Sequence, residues 1–152
     1  RDYTFTYKSN VKAGKATVTA TGKGNYAGSQ SVKFKIVAPS ASLRAQVQTY
    51  GWEKGWKANG TLSGTTGQGK RLEAVQIRLT GNMAKKYDVY YRVHAQKYGW
   101  MGWARNGASA GTAGHAICLE AIQVVIVPKG AKAPSATYKG VKQAYAKAFV
   151  GK

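Results

Sequence analysis

Residues 43–81 read LRAQVQTYGWEKGWKANGTLSGTTGQGKRLEAVQIRLTG, and residues 91–130 read YRVHAQKYGWMGWARNGASAGTAGHAICLEAIQVVIVPKG. The second stretch is a copy of the first. Arg44 aligns with Arg92, Gln48 with Gln96, Tyr50 with Tyr98 and Trp52 with Trp100. One residue is then lost, after which Trp56 aligns with Trp103, Asn59-Gly60 with Asn106-Gly107, Gly64 with Gly111, and Leu72-Glu73-Ala74 with Leu119-Glu120-Ala121. Self-similarity at a fixed spacing is the mark of a repeat architecture.

Each copy opens and closes on strand alternation. Leu43, Ala45, Val47 and Thr49 fall on one side, with Arg44, Gln46, Gln48 and Tyr50 on the other. Tyr91, Val93 and Ala95 oppose Arg92, His94, Gln96 and Tyr98 in the same way. The Asn-Gly pairs are reversal signals, and the GTTGQG and GTAGH runs read as loops. In the closing strands Glu73 falls with Val75, Ile77 and Leu79, and Glu120 with Ile122, Val124 and Ile126. A lone carboxylate on a buried face must be paired or hydrogen-bonded. Glu73 and Glu120 are therefore expected to be internal anchors, held by an arginine, a tryptophan N–H or backbone N–H groups of the GTTG-type loop.

All four tryptophans lie in the YGW phrases. Trp52 and Trp100, locked to the preceding Tyr-Gly, are expected in the core. Trp56 and Trp103 follow a gap of unequal length, which a surface turn tolerates better than a strand, and are expected to face a ligand. Tyr50, Tyr98, Gln48, Gln96, Asn59 and Asn106 complete the candidate ligand-binding set, because aromatic faces with amide hydrogen-bonding groups suit a sugar.

The rest of the chain frames the repeats. Three runs of strand alternation in residues 1–38, separated by turn residues, predict a partial β module, and 39–42 a linker. The copies occupy 43–81 and 88–130 within one double-repeat domain, 43–130. Residues 131–152 form a basic tail. Its apolar residues Val141, Ala144, Tyr145, Ala148 and Phe149 have helical spacing and predict a short C-terminal helix. The fold class expected is all-β, with tandem pseudo-symmetric β repeats forming one domain.

Composition narrows the chemistry. A formal charge of +19 in 152 residues attracts polyanions at long range. One cysteine, Cys118, excludes an intrachain disulfide. No uninterrupted apolar run is long enough to span a membrane. Catalysis has little to work with: the acids are Asp2, Glu53, Glu73, Asp88 and Glu120, and no nucleophile or phosphate-loop motif occurs. His94, His115 and Cys118 are the only soft metal-ligand candidates, and neither histidine recurs in the other copy. No metal and no cofactor is expected. Nucleic-acid binding, through interleaved bases and aromatics, weighs less because the charge is spread and no RNA- or DNA-binding motif is present.

Two resemblances emerge from these residues. The string Q…YGW…W…NG…GT.G…LEA, present twice over residues 43–128, resembles the clostridial hydrophobic repeat with a conserved glycine–tryptophan, the ChW repeat. Cys118, standing where the first copy has Arg71, departs from it. Gly22, Gly24, Asn25, Tyr26, Gly28 and Phe34–Ile36 resemble the closing phrase of an immunoglobulin-like or β-grasp-like repeat of bacterial surface proteins, whose first half is missing, as in a piece of something longer. The ChW resemblance implies an exported, cell-surface protein of clostridia or their relatives, with binding and adhesion roles. The expected function is non-catalytic binding at the bacterial surface, to glycan or an anionic wall polymer. The alternatives are adhesion to a host or surface protein, or a spacer that projects another module.

Overall fold

The computed structural model describes residues 2–9, 14–36, 40–58 and 60–151. The chain divides into two compact units, Arg1–Pro39 and Ser40–Lys152. The first is an antiparallel sheet of β1 (Tyr3–Lys8), β2 (Gly14–Gly22) and β3 (Ser29–Ile36), in that order. Thr17, Thr19 and Thr21 alternate with Ala16, Val18 and Ala20 through β2, and the GKGNYAG turn closes with Gly22 N–H donating to the Gly28 carbonyl at 3.0 Å.

The second unit holds both repeats. Copy one comprises β4 (Ala41–Val47), β5 (Gly51–Trp52), β6 (Lys57–Ala58) and β7 (Leu72–Leu79). A six-residue helix, α1 (Gly81–Lys86), leads to copy two. That copy comprises β8 (Tyr87–Ala95), β9 (Gly99–Trp100), β10 (Ala104–Arg105), β11 (Ser109–Ala113) and β12 (Leu119–Pro128). The chain ends in β13 (Thr137–Tyr138), β14 (Val141–Lys142) and β15 (Phe149–Gly151). The all-β class expected from the sequence is what forms, and the two copies repeat one plan: long strand, GW strand, short strand, long strand.

The copies interlock by an exchange. Copy two's β11 leaves its own sheet and pairs antiparallel with β7 of copy one, giving the order β15-β11-β7-β4-β5 with β6 also on β4. Copy two's own sheet is β10-β8-β12, with β9 on β8. Gly111 makes the exchange possible, since a Cβ there would stand 2.5 Å from the Glu73 carbonyl oxygen. Val75, Ile77 and Leu79 of copy one pack on Val89, Tyr91 and Val93 of copy two in one core. The Tyr91 hydroxyl donates to the Ala108 carbonyl, so its polar end is satisfied there.

Two sequence expectations are corrected here. The supposed linker residues Ala41 and Ser42 belong to β4, because Ala41 pairs with Leu79 and Ser42 with Arg78; Pro39 lies outside the described residues. No C-terminal helix forms. Lys139 and Gly140 both have positive φ, 50° and 77°, and make the two-residue turn between β13 and β14. Beyond it, Phe149–Gly151 runs parallel to β11. A run this short has little helical stability in isolation, whereas the β11 edge supplies partners for its backbone. Its apolar positions Tyr145, Ala148 and Val150 still reach the core.

Candidate functional site

The outer face of copy one's sheet is built by alternation. Arg44 and Gln46 on β4, Gln76 and Arg78 on β7, and Trp52 opposite Gln46 all share it. A cation lies over each ring of the YGWEKGW phrase. The Arg44 guanidinium is 5.7 Å from the Trp52 ring centre, the Lys70 ammonium 4.6 Å from Tyr50, and the Arg78 guanidinium 4.0 Å from Trp56. Tyr50 is 61% exposed; its hydroxyl donates to Gln68 Oε1 at 3.2 Å, and Lys70 Nζ donates to Thr49 Oγ1 at 3.0 Å.

Glu53 holds this phrase in place. Its carboxylate accepts the Ala45 N–H at 2.9 Å, the Ser63 hydroxyl at 2.6 Å and the Gly64 N–H at 3.1 Å, while Arg44 Nε donates to its carbonyl at 2.5 Å. Burial opposes ionisation of this carboxyl, but the Ser63 hydroxyl and the two backbone N–H groups outweigh it, and its pKa is lowered. In copy two the same place is taken by Met101, fully buried, whose N–H donates to Val93 just as the Glu53 N–H donates to Ala45.

Copy two carries the same strip, and its own tail covers it. Tyr145 packs edge-on against Tyr98, with ring centres 4.7 Å apart, and its N–H donates to the Trp100 carbonyl at 3.0 Å. Tyr138 packs edge-on against Trp103, whose Nε1–H donates to the Ser135 carbonyl at 3.2 Å. Arg92, buried beneath Trp100 and Trp103, donates to the carbonyls of Ala136 and Val141 and to Gln123 Oε1. The glycines record the difference. A methyl group on Gly99 would lie 2.9 Å from the Ala144 Cβ, and one on Gly102 would collide with the Ala146 carbonyl. At Gly51 and Gly55 of copy one, nothing stands within 4 Å.

The expected division of the tryptophans does not hold: Trp52, Trp56, Trp100 and Trp103 are all half-buried. Each has an arginine guanidinium over its ring and is only half-buried, so none is a core wedge and none stands free. Trp56 also reaches Gly107 across the copy boundary, within 3.5 Å of a Cβ built there. Of the other expected ligand groups, Tyr50 is open and Tyr98 is covered. Gln48 accepts the Arg71 N–H at 3.3 Å, which commits it to the fold, and the Gln96 side chain is exposed. Asn59 lies outside the described residues. Asn106 is part of the scaffold, not a free ligand group. Its Oδ1 accepts the Val89 N–H at 2.9 Å and its Nδ2 donates to Asp88 at 2.7 Å.

The two acidic anchors also part company. A β-bulge interrupts both closing strands at the glutamate, so neither Glu73 nor Glu120 follows simple alternation. Glu73 is buried, with Arg71 Nε at 3.6 Å and the Gly114 N–H of copy two at 3.4 Å. Glu120, expected buried, is exposed and pairs with His94 at 2.7 Å. The loop that encloses Glu73 comes from the following copy, and among the described residues no copy follows Glu120.

Sequence reasoning missed Glu53, Lys70, Arg78 and Asp88. Glu53 and Arg78 have Met101 and Val125 in their places, so the repeat pattern passes over them. Asp88 is fully buried and receives Lys129, Arg105, Asn106 and the Gly130 N–H, tying the start of β8 to the end of β12. The Lys129 ammonium, with Asn106 and the Gly130 N–H, holds its carboxyl far below the usual aspartate range. Among the described residues no cluster of His, Cys, Asp and Glu could hold a metal ion, and no helix is long and apolar enough to cross a membrane.

An interlocked pair of β repeats presenting an aromatic–cation strip, open on one copy and filled on the other, defines a tandem-repeat β module. The family model for Clostridial hydrophobic W, ChW, matches residues 46–81 and 94–128, so the two copies are ChW repeats. Repeats of this kind are typical of surface-associated proteins. No curated protein and no solved structure matches the chain.

Proposed function

We propose that this chain is a non-catalytic, extracellular binding module of the bacterial surface, and that copy one's open strip takes an anionic wall glycan. The observation that carries this reading is the pairing of every ring in the strip with a cation: Tyr50 with Lys70, Trp52 with Arg44, and Trp56 with Arg78. A sugar face packs on an aromatic ring, and a phosphate or carboxylate on the same polymer meets the adjacent ammonium or guanidinium. The overall +19 charge supports capture of such a polymer at long range. The test is sedimentation of the protein with purified, teichoic-acid-bearing cell walls, before and after the anionic polymer is stripped. Tyr50→Ala and Lys70→Ala should each lower the bound fraction while leaving the fold intact. Equal binding to stripped walls would remove the anionic ligand from the proposal.

A second reading, adhesion to a protein, is favoured by one observation. Copy two's strip holds a polypeptide segment, its own tail, through Arg92 and the Tyr98–Tyr145 contact. Under this reading, a synthetic peptide of residues 135–151 would bind copy one and be weakened by Tyr50→Ala.

A further inference from the structure

Strand β12 is the last strand of its sheet, ten residues long, and nothing among the described residues pairs with its outer edge. Its residues Ile122, Val124 and Ile126 lie opposite Val93, Tyr91 and Val89, on the core side of the sheet. They are nevertheless 48%, 46% and 51% exposed, whereas their counterparts in copy one, Val75, Ile77 and Leu79, are buried. A long apolar edge with its core-side face uncovered is a template for another strand.

The repeat itself says what belongs there. In copy one the same edge is occupied by β11, with Ser109, Ala110 and Gly111 opposite Gln76, Val75 and Ala74. Carried through the repeat alignment, the segment equivalent to Ser109–Gly111 is Leu62–Gly64, and its acceptor is Gln123, Ile122 and Ala121. Within the chain Leu62–Gly64 forms no strand, and Leu62 is exposed. The acceptor's backbone points the right way. The Val93 carbonyl takes the Met101 N–H and the Val89 carbonyl the Asn106 N–H, both away from β12. In an antiparallel ladder the residues opposite them, Ile122 and Ile126, then direct their N–H and C=O groups to the open edge. The Gly64 N–H is held by Glu53, just as the Gly111 N–H is held by Ala148, which leaves the flank with Ser63, like that with Ala110, facing the acceptor.

We infer that a second copy of this chain completes the structure: each copy's Leu62–Gly64 segment pairs with the other's β12 edge, covering Ile122, Val124 and Ile126. Ser63 borders the same groove as Leu119, Ala121 and Ile122. Donor and acceptor therefore sit on one side of the unit, as the self-complementary interface of a two-fold dimer requires. Leu43, which stands exposed where copy two has the buried Tyr91, lies in that groove as well. The positive charge of each chain opposes association, so the dimer strengthens as salt is added.

Sedimentation velocity of the full chain over a wide concentration range, at physiological and at raised ionic strength, tests this. A monomer–dimer equilibrium favoured by salt is expected, and Val124→Lys and Leu62→Lys should each abolish the dimer while leaving circular dichroism unchanged. In the wild type, amide exchange at Ile122 should slow as concentration rises, a readout that needs no variant. A monomer at every concentration and salt level overturns the proposal. So does a dimer that survives both substitutions, or one that leaves exchange at Ile122 unchanged.

Discussion

Tyr145 closes over Tyr98 with ring centres 4.7 Å apart, while Tyr50, the same residue one repeat earlier, stands 61% exposed. One motif thus does two jobs. In copy two it holds the end of the chain, and in copy one it is available. The energetic consequences of substitution should divide along the same line.

Tyr98→Ala removes an aromatic pair that fastens the tail, and should cost about 1–2 kcal/mol in urea unfolding of the repeat unit. Tyr50→Ala touches no tail residue and should stay within about 0.5 kcal/mol of wild type. Equal losses at the two positions would mean that the tail does not close on copy two in solution.

The glycines supply a test with a smaller perturbation. Gly102→Ala puts a methyl group into the Ala146 carbonyl and should destabilise the unit by about 1–3 kcal/mol, with faster proteolysis after Lys142 and Lys147. Gly55→Ala, at the matching bend of copy one, meets nothing within 4 Å and should be near neutral in the same melt.

Acid should weaken the repeat unit through Asp88. Its folded pKa lies below the ordinary 3.8, so its contribution is fully present above that value and is lost as pH falls toward the folded pKa. Glu53, also lowered, adds a loss of the same sign. Asp88→Asn should reduce Tm at neutral pH, because Lys129 and Arg105 lose their counter-charge, and should flatten the decline of Tm on the acid side. A variant whose Tm falls as steeply with acid as the wild type's would place the pH sensitivity elsewhere.

If the open strip binds an anionic wall polymer, added salt should weaken binding to intact walls, since the cations of the strip are at the surface. Lys70→Ala should make that dependence shallower. Tyr50→Ala should lower binding at every salt concentration by a similar factor. Affinity measured against ionic strength for the three proteins separates the two contributions.

How much of this was legible in the sequence follows from the range of the interactions. The repeat, the alternation of Leu43–Val47 and Leu72–Leu79, and the reversal at Asn106-Gly107 are carried by neighbouring residues, so the β class and the two copies could be read directly. Side-chain period and turn chemistry are local properties. The tail was misread because spacing alone cannot tell a short helical face from apolar residues that reach a core along an irregular path. Its strand partner, β11, is contributed by residues 109–113, well away along the chain. The fates of equivalent residues were beyond any local reading. Glu73 is buried where copy two's Gly114 loop reaches it, and Glu120 is exposed, with nothing among the described residues enclosing it in the same way. Tyr98 is covered because Tyr145 arrives, whereas Tyr50 has Lys70 and Gln68 beside it instead. The sequence by itself determined that two like units exist and which way their strands face. Only the tertiary structure decided which unit is covered and which is open, since burial depends on what the rest of the chain brings to each surface.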